Sequence, residues 1–431
     1  MKMKIKPATG IEESFDIPGD KSISHRSLIL GSIAEGQSRI KGLLEGEDCF
    51  RTLEIMKQLG VRIEKNASHE YRIFGRGLEG LTEPAAVLDC GNSGTSMRLI
   101  AGLLAGRDFY SVMSGDGSLR ERPMDRIRGP LEMMGAEIWC REEGLAPLSI
   151  KGGNLRGIEY EPEVASAQVK SSILLAGLSA AGETAVREPA VSRDHTERML
   201  QAAGADIEKD GNTITLAAGP QPLDPLDIEI PGDISSAAFI ISAALIVPGT
   251  EITVTDCGIN PTRSGLLDVL DDMQADLSYK NRSEIGGEPA ADITATHSQL
   301  KAVEVGGDII PRMVDEIPVL AVLATQANGR TVIRDAEELR YKETDRLTAI
   351  SQTLKEMGAE IEEREDGLVI EGPTSLRGGL ELDSYHDHRI AMALAVAGLT
   401  ADSPLEIKNS EVVDISFPGF ADKINRFFQE E

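Results

Sequence analysis

Apolar residues along this chain gather into two kinds of run that alternate. The first kind has a polar opening, an Ala/Leu/Ile-rich stretch of helical character, then a Gly and a strand. Residues 18–36 (PGDKSISHRSLILGSIAEG) and 231–249 (PGDISSAAFIISAALIVPG) are two such runs and resemble each other closely. Four more begin near Cys90, Ser166, Asp315 and His386. The second kind ends in a Gly turn leading into a strand, as in TLEIMKQLGVRIE (52–64), RIRGPLEMMGAEIW (126–139), TERMLQAAGADIE (196–208) and LTAISQTLKEMGAEIE (347–362). Gly60, Gly135, Gly204 and Gly358 supply the left-handed residue that stops such helices. In RSGLLDVLDDMQADLSY (263–279) a Gln takes the place of that Gly. The unit therefore recurs roughly every 70–80 residues, about six times, each with two helices and several strands.

The phase of this repeat matters for chemistry. Lys21–Ser22, Asn92–Ser93–Gly94–Thr95, Ser166–Ala167–Gln168, Asp315–Glu316 and His388–Arg389 all fall at or near the start of a helix of the first kind. Several helix N-termini, with unsatisfied N–H groups and positive dipole ends, are thus expected to face shared space. Ser, Asp and Asn at helix starts are ordinary caps, and Ser235 and Ser236 are expected to be that and no more. Capping does not account for Lys21, Arg26 or Arg389, because a cation near a helix N-terminus opposes the dipole. A bound anion would offset that cost.

Composition narrows the partner. The chain has 431 residues and a formal net charge of −27, with 41% hydrophobic and 27% charged residues. This is a soluble globular profile with ample core for two or more domains. The acidic balance argues against nucleic acid and anionic membranes as partners. Cations concentrated in Gly/Ser-rich motifs point instead to a small anionic substrate held by local geometry. Four cysteines (Cys49, Cys90, Cys140, Cys257) lack metal-like spacing and read as ordinary cytosolic thiols. The basic start MKMKIKPATG leads into no apolar core, and the apolar run AAFIISAALIVPG (237–249) is too short to span a bilayer. A cytoplasmic protein is expected.

Individual motifs carry the chemistry. Lys21, Ser22 and Arg26 offer a cation, a hydroxyl donor and a guanidinium fork on one helical face, enough to grip a phosphate or carboxylate. Arg122 belongs to an arginine-rich loop, RERPMDR (120–126), whose bland alternative is surface pairing with Glu121 or Asp125. Asp315 and Glu316 precede an apolar helix and could serve as its cap or first-turn acids. If the YKETDR segment is helical, Lys342 and Arg346 share a face, with Glu343 beside them as a proton-transfer group. His386 and His388 lack two further ligands at standard spacing, so no metal is expected. No nucleotide-loop, dinucleotide or nucleophile-elbow motif is present.

In order and spacing, PGDKSISHR, GNSGTSMR, RPMDR, SAQVKS, SRDHTERM, DEIPVLA, YKETDR and DHRIAMA resemble the 5-enolpyruvylshikimate-3-phosphate synthase family over nearly the whole chain. The resemblance implies an α/β (α+β) fold, a two-domain inside-out α/β barrel with six βαβαββ repeats, three per domain. Because the two PGD segments are equivalent points in the repeat, residues 20–231 are expected to form one domain, and 1–19 with 232–431 the other, with the active site between them. The implied reaction transfers the enolpyruvyl group of phosphoenolpyruvate to the 5-hydroxyl of shikimate 3-phosphate, in chorismate and aromatic amino-acid biosynthesis. It needs no cofactor, and the implied enzyme is a monomer.

Position by position, the resemblance implies that Lys21, Ser22, Arg26, Ser166, Ala167, Gln168, Ser192, Arg193, Asp315 and Lys342 bind shikimate 3-phosphate. Lys21, Gly94, Arg122, Gln168, Arg346 and Arg389 match positions that hold phosphoenolpyruvate. Asp315, Glu343 and Lys21 match the proton-transfer groups. Two departures stand out: Ala167 replaces a serine of some members, and Ile415 stands where others carry a lysine, with Lys408 out of register. The rivals fit less well. A UDP-N-acetylglucosamine enolpyruvyl transferase would carry a Cys in the loop SGDGSLRERP (114–123). An RNA 3′-phosphate cyclase would want a basic surface, and a non-catalytic repeat protein would not need Lys21, Asp315 and Glu343 together.

Overall fold

Six helices, three in each half of the chain, are buried on nearly every face. They are α1 (Lys21–Ile33), α2 (Gly94–Ala105), α3 (Ala167–Gly177), α4 (Ile234–Ile246), α5 (Ile317–Gln326) and α6 (His388–Gly398). Every one of the 13 residues of α4 and the 11 of α6 is buried, as an all-round apolar composition requires. The computed structural model describes residues 1–219 and 221–428. Among these no helix is long and apolar enough to cross a membrane.

The chain divides into two compact units. The first comprises Gly19–Ile230 with Ile285–Gly287; the second comprises Met1–Pro18, Pro231–Glu284 and Glu288–Glu431. Each has its own hydrophobic core.

In the first unit α2 and α3 each connect two parallel neighbours of a four-stranded sheet. Leu88–Asp89 runs parallel to Tyr110–Ser114 through α2, Leu148–Lys151 pairs antiparallel beside it, and Glu137–Trp139 forms the far edge. Glu159–Tyr160, Thr184–Arg187, Thr213–Leu216 and Ile207–Asp210 repeat this order around α3. Around α1 the parallel neighbour of Glu35–Lys41 is Asp227–Glu229, from the end of the same unit. A late strand thereby completes the first sheet. The second unit repeats the plan around α4 and α5, where Glu12–Asp16 lies parallel to Glu251–Gly258 and Glu304–Val305 to Gly329–Ile333. The sixth repeat departs from the full βαβαββ set: its sheet has three strands among the described residues. Glu381–Asp383 and Leu405–Lys408 are joined there by Lys2–Ile5, so the N-terminal strand gives this sheet its third member.

The outer helices end as the Gly pattern requires, with φ of +91° at Gly60, +114° at Gly135, +84° at Gly204 and +90° at Gly358. Gln274 adopts φ +62° at the equivalent turn, a conformation that costs a residue bearing a Cβ.

Two features fix the inner helices of the first unit against each other. Helices α2 and α3 cross so closely at Gly102 that a Cβ there would lie 2.1 Å from the Ser172 carbonyl oxygen. Helices α1 and α2 are linked by hydroxyls: His25 Nδ1 lies 2.8 Å from Thr52 Oγ1, which lies 2.7 Å from Ser96 Oγ, which bonds Ser93 Oγ at 2.7 Å. Ser93 in turn caps α2. Burial, reinforced by Lys21 and Arg26, pushes the His25 imidazole well below its ordinary 6.5, although Asp20 pulls it up.

The helix crossing predicts that Gly102→Ala lowers stability by about 1–3 kcal/mol through overpacking. Gly117→Ala, at a position with nothing within 4 Å, is the control and is expected to leave the thermal midpoint nearly unchanged. Equal midpoints for the two variants would show that the helices can move apart at no cost.

The buried imidazole predicts a pH dependence. The unfolded chain takes up a proton on this ring below pH 6.5 while the folded chain does not, so acid favours unfolding. The contribution is fully present above that pH and is lost as pH falls, at about 1.4 kcal/mol per pH unit. Urea denaturation between pH 7.5 and 5 should therefore show a shallower loss for His25→Asn than for the parent chain; identical slopes would contradict a neutral buried His25.

Candidate active site

The first unit gathers its chemistry at the N-terminal ends of α1, α2 and α3. Asp20 caps α1, its Oδ1 accepting the Ile23 N–H at 2.9 Å, and this presents Lys21 and Ser22 in the first turn. Lys21 Nζ is paired with Asp48, at the start of helix Glu47–Gln58. Arg26 is buried and reaches across to the other elements. Its Nε donates to Thr196 Oγ1 at 2.6 Å, its Nη2 to Ser171 Oγ of α3 at 2.7 Å, and its Nη1 to the Ser22 carbonyl at 3.0 Å.

Ser166 caps α3 and places Ala167 and Gln168 in its first turn. Gln168 ties α3 to α2: its Oε1 accepts from Arg98 Nη1 at 2.5 Å and its Nε2 donates to Thr95 Oγ1 at 2.9 Å. Arg122 folds onto the same helix end, its Nη2 donating to Asn92 Oδ1 at 2.6 Å and to Ser118 Oγ at 3.1 Å. Gly94 opens α2 beneath these guanidinium groups. A Cβ there would lie 3.6 Å from both Arg122 Nη1 and Arg98 Nη1. Ser192 is buried and Arg193 half-exposed on the loop after strand Thr184–Arg187, with the Ser192 hydroxyl bonded to Glu188.

The second unit organises its share around Arg346, which is 1% exposed. Three carboxylates meet its guanidinium: Asp387 Oδ2 on Nε at 2.8 Å, Asp315 Oδ1 on Nη1 at 3.1 Å, and Glu343 Oε2 on Nη2 at 2.6 Å. Burial opposes the charge of Arg346, yet Asp387, Glu343 and Asp315 hold it firmly protonated. Burial likewise raises Asp387 from the ordinary carboxylate range, against the pull of Arg346. Lys342 is half-buried beside this group, and burial draws its ammonium below the ordinary lysine value while Asp315 and Glu338 pull the other way.

A second buried cluster holds Arg389. Its Nη1 lies 3.4 Å from Glu316 Oε1 and donates to the Ser235 carbonyl at 3.3 Å. Glu316 also accepts the Ser235 hydroxyl and lies 3.6 Å from Arg263 Nη1, and Arg263 Nη2 pairs with Asp233 at 3.2 Å.

Several expectations need correction. Lys342 and Arg346 do not share a helical face: Lys342 follows a 3-10 turn (Glu337–Tyr341), and the α-helix begins at Arg346 behind an Asp345 cap. Asp345 accepts from Thr348 N–H at 3.1 Å, and that cap is what stops the helix extending backwards. Asp315 is not a helix cap either. It sits within the 3-10 turn Val314–Glu316, and Glu316 holds the N-cap position of α5 without a side-chain bond to the helix. The cap of α4 is Asp233 rather than Ser235 or Ser236. Lys408 pairs with Glu381 at 2.7 Å in the sixth sheet.

The sequence did not single out Asp48, Arg98, Glu188, Arg263 or Asp387. Arg98 stands one turn after Gly94 in a motif already singled out, so helical spacing was a usable signal. Asp48 looks like an ordinary first-turn acid, and nothing in its spacing shows the contact with Lys21. Among the described residues no group of three or more His, Cys, Asp or Glu side chains is placed to hold a metal ion.

Comparison with known proteins agrees with these motifs over nearly the full chain. The family model described as EPSP synthase (3-phosphoshikimate 1-carboxyvinyltransferase) matches residues 5–424. The 3-phosphoshikimate 1-carboxyvinyltransferase of Desulforudis audaxviator is 53% identical, with 99% of each chain covered. That of Bacillus cereus (strain G9842) is 51% identical over 97% of each. The solved structure of EPSP synthase from Acinetobacter baumannii superposes with a TM-score of 0.88 at 46% identity, covering 99% of this chain and 98% of that one. Relatives of this identity and coverage share the two-domain inside-out α/β fold, and the chain belongs to the EPSP synthase family of transferase enzymes.

Proposed function

We propose that this chain transfers the enolpyruvyl group of phosphoenolpyruvate to the 5-hydroxyl of shikimate 3-phosphate, releasing phosphate, in aromatic amino-acid biosynthesis. The observation that carries the reading is the set of three inner-helix N-termini in the first unit, where Lys21, Arg26, Arg98, Arg122 and Gln168 cluster around neutral Ser93 and Ser166 caps. Such ends supply N–H donors and a positive field suited to a phosphate dianion. Lys21, Ser22, Arg26, Ser166, Ala167, Gln168, Ser192 and Arg193 serve shikimate 3-phosphate. Gly94, Arg122, Gln168 and Lys21 from this unit, with Arg346 and Arg389 from the other, serve phosphoenolpyruvate.

The reaction needs a proton on the methylene carbon of phosphoenolpyruvate as the 5-hydroxyl oxygen attacks the adjacent carbon. A proton then leaves that methyl carbon while the carbon–oxygen bond to phosphate breaks. Asp315 takes the hydroxyl proton; its position 3.1 Å from Arg346 supports an ionised carboxylate before reaction. Glu343 and Lys21 exchange protons at the methylene carbon and the departing phosphate. Lys342, with its ammonium made more acidic by burial, stands beside the Asp315 carboxylate. Arg122, Arg346 and Arg389 carry the charge that develops as phosphate departs. We take the enzyme to act as a cytoplasmic monomer without cofactor, which sedimentation of the full chain would check.

Mixing phosphoenolpyruvate with the enzyme should release phosphate only when shikimate 3-phosphate is added. Asp315→Asn keeps the bond to Arg346 and removes the proton acceptor, so turnover should fall by about 10²–10⁴-fold while shikimate 3-phosphate binding changes little. Phosphate release without the second substrate would sink the reaction assignment, and near-normal turnover by the variant would sink the role of Asp315.

A further inference from the structure

Beneath the loop that bears Ser192 and Arg193 lies a buried charge cluster that the mechanism above does not use. Lys170, in the second turn of α3, is 0% exposed. Its Nζ lies 2.7 Å from Glu188 Oε2 and 2.7 Å from Glu197 Oε1. Glu188 follows strand Thr184–Arg187 and Glu197 sits in helix His195–Ala202, so one ammonium joins both ends of the intervening loop.

The two carboxylates are not equivalent. Glu188 turns its other oxygen to the Ser192 hydroxyl, and its Oε2 also receives the Ser192 N–H at 3.5 Å. Its own N–H donates to the Asn212 carbonyl at 2.9 Å, which anchors it to the sheet. Glu197 meets Lys170 with no such link to the loop. Two carboxylates against one ammonium make the cluster a poor anion site in itself. Its physical use is therefore to hold a conformation, since a buried carboxylate gives stronger hydrogen bonds than a neutral acceptor.

We propose that Glu188, fixed by Lys170, is a positioning residue that sets Ser192 and Arg193 to receive the phosphate of shikimate 3-phosphate. The inference rests on the reading of Ser192 and Arg193 as ligands of that phosphate. Holding the loop before binding spares the ordering cost that a mobile loop would incur on contact with substrate.

Glu188→Ala and Glu197→Ala, made in the full chain, separate positioning from support. Each leaves Lys170 with one carboxylate partner, so each keeps the buried ammonium paired, and only the first cuts the link to Ser192. Glu188→Ala should raise KM for shikimate 3-phosphate about tenfold or more, with kcat and KM for phosphoenolpyruvate nearly unchanged, the loss expected for one charge-assisted hydrogen bond. Glu197→Ala should lower the melting temperature and leave that KM alone. Glu188→Gln retains an acceptor for Ser192 and should recover most of the affinity, and it serves as the test if Glu188→Ala does not fold. Equal effects of Glu188→Ala and Glu197→Ala on KM, or none from either, would overturn the proposal. Arg193→Gln tells the two levels apart. A raised KM there with none for Glu188→Ala defeats the positioning role alone, whereas an unchanged KM for Arg193→Gln defeats the phosphate reading and this inference with it.

Discussion

A helix buried on all sides has no water to satisfy the N–H groups of its first turn, and five of the six inner helices carry a side-chain cap there. The solutions differ between the units. In the second unit the N-cap positions of α4, α5 and α6 are held by Asp233, Glu316 and Asp387, three carboxylates. Each meets an arginine: Arg263, Arg389 and Arg346 respectively. In the first unit the caps are Asp20, Ser93 and Ser166, so two of the three positive ends carry a neutral hydroxyl as cap. Repeats of common plan thus carry opposite electrostatics. One set of helix ends is neutralised from within, and two ends of the other carry neutral caps, which the proposed function leaves for a substrate anion.

The internal neutralisation is not a cheap way to stabilise a fold. Taking Arg346 and its carboxylate partners out of water costs several kcal/mol per ion, and replacement by apolar side chains would often be neutral or better for stability. What the cluster secures is geometry. Arg346 is held on three sides by groups from the turn at Asp315, the segment before its own helix, and the cap of α6. A guanidinium so fixed needs no reorganisation when charge appears next to it, which is the usual route by which electrostatics lowers a barrier. The same cluster sets Asp315 against a cation and leaves Lys342 poorly solvated, so the Lys342 ammonium gives up its proton more readily.

Much of the fold was legible because it rests on local rules. The six Ala/Leu/Ile-rich runs read as inner helices, and the glycines at 60, 135, 204 and 358 marked turns that do adopt positive φ. The candidate residues with standard local signals, Lys21, Gly94, Ser166 and Gln168, all stand at helix starts. Legibility failed where contacts join distant segments. The spacing of Lys342 and Arg346 suggested one helical face, but the Asp345 cap decides where that helix begins. Glu316 looked like a first-turn acid, and its bond to Ser235, 81 residues away, has no trace in local pattern. The same holds for Lys21 with Asp48 and for Lys170 between two glutamates. Charged residues are interchangeable in pattern until the fold says which of them meet.

The division between open and filled helix ends makes a claim about where the first substrate binds. Calorimetric titration of shikimate 3-phosphate, without phosphoenolpyruvate, tests it most directly in Lys21→Met and Arg389→Met. Lys21→Met should weaken binding by about tenfold or more, and Arg389→Met should stay within about threefold of the parent chain. Comparable losses in both variants, or a larger loss at Arg389, would contradict the view that the phosphate binds at the helix ends of the first unit.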